Sequence, residues 1–171
     1  MIQLDNTLFA WMNGWLPEAR SFWSLLVHPY APLVFAAMVA FLAWTNKRPA
    51  ALLLAALAAG VTDPVCSYGL KPLFGRDRPC EVRQEVQVPK GPDGAPLCGS
   101  GPAMPSNHAA NTMAIAVATG NPFLGAASVL VGVSRVVTGQ HWPLDVAAGW
   151  GVGAAIGLLV RAGVKKAASW T

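Results

Sequence analysis

The feature that most constrains this chain is a succession of apolar runs, two of which match the thickness of a bilayer. Phe22 to Trp44 and Ala50 to Leu70 each offer about the 20 apolar residues that a spanning helix needs. In hydrocarbon every backbone polar group must be satisfied within the protein, so such runs dictate helices. Only 12% of the 171 residues are charged and 54% are hydrophobic, too little charge for a soluble domain to cover its surface. Three shorter apolar segments follow: Asn107 to Gly120, Phe123 to Val137 and Pro143 to Val160, the first two joined at the turn signal Asn121-Pro122. The expectation is an all-α integral-membrane helical bundle of about five spans, forming a single domain over 1–171.

Residues 4–16 mix aromatic and polar side chains and are too short to span, so the region 1–20 reads as an interfacial helix. Met1 to Leu16 lacks the basic start and cleavage site of a removable signal and reads as part of the mature protein. His28-Pro29 and Pro32 are expected to kink the start of the first span. Lys47, Arg48, Arg161, Lys165 and Lys166 sit at span ends, where cytoplasmic loops collect positive charge. Lys71, Arg76, Arg78, Arg83 and Lys90 gather after the second span, on the opposite side, which suggests a bound anion. Residues 72–105 are polar and rich in Gly and Pro and read as a long external loop. The small residues at 147–157 point to close helix packing; a dimer seam through Gly149 and Gly153 is the lesser alternative.

Three segments at the outer ends of these runs carry unusual polar residues: Lys71 to Pro79, Pro105 to His108, and Ser134 to Asp145. Ionisable groups at such depths are costly and usually functional. Two of the three histidines lie here, and imidazole can act as nucleophile or proton donor near neutral pH. Arginine and lysine supply the complementary charge for phosphate, so no metal is required to neutralise it. Pro143 fits the first turn of a helix, which brings Asp145 back toward His141; a hydrogen bond between them would orient the ring and leave its other nitrogen free. Ser106 reads as the N-cap of the next span, with backbone N–H groups around Asn107 and His108 free for an anion. Arg76, Arg83 and Lys90 read as solvated charges.

The three segments resemble the signature of the type 2 phosphatidic acid phosphatase family, K-x6-RP, PSGH and SR-x5-H-x3-D. Lys71 with Arg78-Pro79, Pro105-Ser106 with His108, and Ser134-Arg135 with His141 and Asp145 match at the expected spacings. Asn107 stands where the pattern has glycine, placing a side chain near the substrate. The resemblance implies that His141 attacks phosphorus, Asp145 supports it, and His108 protonates the leaving oxygen. Lys71, Arg78, Ser106 and Arg135, with the backbone at Asn107, would hold the phosphate.

It further implies metal- and cofactor-independent hydrolysis of a membrane lipid phosphate or diphosphate, at the periplasmic or outer face of the cell membrane. Undecaprenyl diphosphate, lipid A 1-phosphate, phosphatidylglycerophosphate and phosphatidic acid are the candidates, with a slight lean to the first two. Expected partners are the bilayer and the lipid, not nucleic acid. A lipid phosphotransferase, or a non-catalytic lipid-phosphate binding or transport protein, is the alternative. Cys80 and Cys98 bracket the external loop and are expected to pair if that face is oxidising; two free thiols are the other possibility.

Overall fold

The computed structural model describes residues 2–15, 17, 19–28, 30–91 and 93–169. They form helices α1 (Ile2–Asn13), α2 (Arg20–Val27), α3 (Ala31–Thr45), α4 (Ala50–Pro64), α5 (Lys71–Phe74), α6 (Pro79–Val82), α7 (Asn107–Thr119), α8 (Pro122–Val137) and α9 (Pro143–Ala168). The fold is all-helical; among the described residues the sole β-type pairing is an isolated bridge between Lys90 and Pro96.

Two stretches are long and apolar enough to cross a membrane, Ala50–Val82 and Pro143–Ala167. Ser21–Val27 and Ala31–Thr45 pass the same test together but meet at 79°, so the first expected span is two helices joined at a sharp bend. The sequence explains the break. His28 is extended (φ −59°, ψ 146°), as a residue preceding proline must be, and Pro32 lies in the first turn of α3. Pro29 lies outside the described residues. Large apolar side chains such as Leu33, Phe41, Trp44, Leu53 and Leu159 stand exposed on the outer faces, the surface a multi-pass protein presents to lipid.

The second expected span runs further than the sequence suggests. A π-helical segment, Val65–Leu70, carries the chain from α4 through to α5, so residues 72–74 of the expected loop are helical, as are residues 79–82 in α6. Pro64, which has no N–H to donate, immediately precedes that segment, and the ladder there shifts register.

Helices α7 and α9 form the centre of the bundle and run parallel. A Cβ on Gly149 would lie 2.6 Å from the Ser106 carbonyl oxygen, and one on Gly153 only 2.2 Å from that of Ala110. Gly149 and Gly153 are thus used inside the chain, where they let α9 approach the alanine-rich face of α7. At 13 residues α7 is short, but Ala109, Ala110, Ala114, Ala116 and Ala118 are buried among its neighbours, so it need not match a lipid thickness on its own. The parallel pairing puts the N-termini of α7 and α9 at one end. Arg161 packs against Gly120 at the other, toward which Lys165 and Lys166 also lie.

α1 does more than lie along a surface. Phe9 is buried against Trp142 at 4.9 Å between ring centroids. The Asn13 side chain donates to the Gln87 and Val137 carbonyls at 2.8 Å each.

Cys80 and Cys98 are joined by a disulfide across 18 positions, with Cα atoms 6.0 Å apart. Closing a loop of that length restricts the unfolded chain by roughly 3 kcal/mol in the entropic model. Replacing both with serine is therefore expected to lower stability by about that much. Thermal unfolding of the double variant in detergent checks this; an unchanged midpoint would mean that the bond contributes nothing.

Candidate active site

The three polar segments converge at the shared end of α7 and α9. The Ser106 backbone N–H donates to the Asp145 carbonyl at 3.0 Å, joining the second segment to the third. Arg78 joins the first to the third: its Nη1 donates to the Gln140 carbonyl at 3.1 Å and lies 3.2 Å from His141 Nε2. Its Nε donates to the Gly101 carbonyl at 3.0 Å. The chain can turn tightly into His141 because Gly139 has φ +74°, where a Cβ would sit 2.4 Å from Val86 Cγ1.

Arg78, Ser106, Arg135, His141 and Asp145 are all buried. A guanidinium can only donate, so its contact with His141 Nε2 fixes the ring as the Nδ1–H tautomer, with the Nε2 lone pair directed at Arg78. Burial pushes the His141 imidazole down to about 4; Asp145 pulls the other way, and Arg78 adds to the fall. His141 is therefore neutral at pH 7, the state in which Nε2 is nucleophilic.

Asp145 differs from the sequence expectation. Its Oδ2 is 3.5 Å from His141 Nδ1, beyond a normal hydrogen bond, because that oxygen accepts the Trp142 backbone N–H at 2.9 Å. This is the reach of a third-position acid to its helix cap. Its Oδ1 accepts from Arg76 Nη1 at 2.8 Å, and Arg76 Nη2 also pairs with Asp5 of α1. Asp5 in turn accepts the Leu144 N–H at 2.9 Å. Arg76 is thus no solvated charge: it links two buried carboxylates, and its guanidinium lies 5.1 Å from the centre of the Trp142 ring. The sequence carried a signal for this in the charge of Arg76 two positions before Arg78, but nothing in it pointed to Asp5.

Ser106 occupies the N-cap of α7, yet its hydroxyl makes no capping bond. Ser106 Oγ, Arg135 Nε and His141 Nδ1 are buried without protein partners. Buried polar atoms are rarely left so, and these three fall within the polar segments that converge here. Arg135 is held by the Leu26 carbonyl at 2.9 Å and by Gln140 Oε1 at 3.3 Å. Gln140, which the sequence reading passed over, supports both arginines. Lys71 is half-buried at the end of the long α4–α5 helix.

His108 and Arg135 line a cavity of about 460 Å³ that runs between α3, α4, α7 and α8. Its walls are mostly apolar, including Phe35, Val39, Leu52 and Ile115. The Asn107 side-chain amide donates to Asp63 Oδ1 at 2.9 Å and to Ser67 Oγ at 2.6 Å.

The helical bundle is similar in fold to two solved structures. The crystal structure of the first transmembrane PAP2 type phosphatidylglycerolphosphate phosphatase from Bacillus subtilis matches 96% of this chain and 86% of its own, with a TM-score of 0.69 at 21% identity. That of Aquifex aeolicus LpxE matches 92% of this chain and 94% of its own, with a TM-score of 0.62 at 20% identity. Among curated protein sequences none matches the chain. Residues 121–169, which hold the third segment and α9, match the PAP2 superfamily.

Proposed function

We propose that the protein hydrolyses the phosphate of a membrane lipid through a phosphohistidine on His141. The observation that carries this reading is the junction of an apolar cavity of lipid-chain dimensions with a phosphate cradle, at His108 and Arg135. His141 Nε2 attacks phosphorus while Arg78, Arg135, Lys71 and Ser106 hold its oxygens. The bond from phosphorus to the lipid oxygen breaks, and His108 gives that oxygen a proton. His108 then takes a proton from water, which attacks the phosphohistidine and releases phosphate. Asp145 stabilises the imidazolium that forms on His141.

The site lies at the end of the bundle opposite Arg48, Arg161, Lys165 and Lys166, so the positive-inside rule directs it to the periplasmic or outer face. That placement agrees with the Cys80–Cys98 disulfide, which an oxidising compartment permits.

Purified protein assayed for phosphate release against a panel of lipid phosphates tests the reading; binding of these lipids without turnover would favour a carrier. Because fixed cations neutralise the phosphate, a chelator is expected to change the rate by less than about twofold. Loss of activity that magnesium restores would contradict this.

A further inference from the structure

A polar cluster inside the apolar cavity has no part in the steps above. Asp63 Oδ1 accepts from Asn107 Nδ2 and from Asn111 Nδ2, each at 2.9 Å, and all three residues line the cavity beside His108. Pairing with a carboxylate fixes both amides with their NH₂ groups toward Asp63. What remains is a set of acceptors. Asn107 Oδ1 and Asn111 Oδ1 are buried without partners.

We propose that this cluster selects a lipid phosphate monoester whose departing alcohol carries an uncharged hydrogen-bond donor, a hydroxyl or an amide N–H, and that it disfavours diphosphates. The inference rests on the proposed reading of the site and narrows its substrate. The group leaving phosphorus must lie on the His108 side, because His108 protonates it, and that side of the cavity carries Asp63, Asn107 and Asn111. An alcohol with a neighbouring hydroxyl or amide N–H satisfies the free acceptors. A leaving group with only ester oxygens leaves them unpaired, which a site built around acceptors penalises. In a diphosphate the leaving group is itself an anion, and it would meet the like charge of the Asp63 carboxylate on the His108 side of the cavity. Asn107, the departure from the family's glycine, supplies one of the free acceptors and holds Asp63 in place.

The test compares kcat/KM in mixed micelles for three lipids: ceramide 1-phosphate, whose departing alcohol bears a hydroxyl and an amide N–H and no charge; phosphatidic acid, which has no such donor; and a polyprenyl diphosphate. Rates are normalised to p-nitrophenyl phosphate, a small substrate that leaves the lipid cavity empty. The wild type is expected to prefer the hydroxyl-bearing lipid over phosphatidic acid by about tenfold or more, with the diphosphate last. Asp63→Asn removes the charge and is expected to raise the normalised diphosphate rate about tenfold. Asn111→Leu removes one acceptor without changing charge and is expected to lower only the hydroxyl preference. A wild type that favours the diphosphate, or variants that shift all three lipids by one factor, overturns the inference alone. Failure of the wild type to hydrolyse any of the four substrates overturns the reading of the site and this inference with it.

Discussion

Replacing His141 with alanine is expected to lower phosphate release by about 10⁴-fold or more, with lipid binding retained. Removing the nucleophile removes the covalent path, whereas the cradle of Arg78, Arg135 and Ser106 persists. His108→Ala is expected to behave differently. It leaves a nucleophile without its acid, so the first step slows in proportion to how poor the leaving group is, and p-nitrophenyl phosphate is affected least. Phosphate assays on both variants, with trapping of phosphoprotein in alkali-quenched His108→Ala, check the assignment. Near-normal turnover by His141→Ala would sink it.

The pH profile offers a second reading of the same group. Neutral His141 is the reactive form, and its burial holds the imidazole at about 4, so its limb in kcat/KM falls as pH drops through about 4. The substrate phosphate ionises near pH 6 and must be corrected for. A His141 limb near the ordinary histidine value would mean that the ring is solvated.

The three polar segments were legible in the sequence because each is anchored by local geometry. Ser106 stands at the N-cap position of α7, Pro143 opens α9, and Asp145 reaches back one turn, all within a few positions. The sequence was silent where a contact depends on how distant segments pack. The 79° break between α2 and α3 makes one expected span into two helices, and the π-helical turn after Pro64 carries a helix past Leu70 to Lys71. Asp63 reads in the sequence as one more polar residue near a helix end; its role emerges only when α7 brings Asn107 and Asn111 against it, 44 and 48 positions away.

Arg76 shows the same limit with the larger consequence, and its removal is expected to lower kcat by about 10²-fold. Asp145 is fully buried, and Arg76 supplies the cation on its Oδ1 while the Trp142 backbone N–H holds Oδ2. Deleting one partner leaves a buried carboxylate uncompensated, a costly state that the chain relieves by turning Asp145 from its position under His141. Asp5, 71 positions from Arg76, completes the bridge and ties α1 to the site. Asp5→Asn should therefore lower kcat in the same direction by a smaller factor, and the double variant should fall short of the product of the two, because both act through one guanidinium. The sign of the pH effect separates positioning from general damage. With Asp145 turned away, the His141 imidazolium loses its carboxylate partner, so the acid limb moves downward from about 4. KM should change little, since neither residue belongs to the phosphate cradle. An Arg76→Ala enzyme with normal kcat, or one whose limb stays in place while KM rises, would show that the bridge only fastens the N-terminal helix.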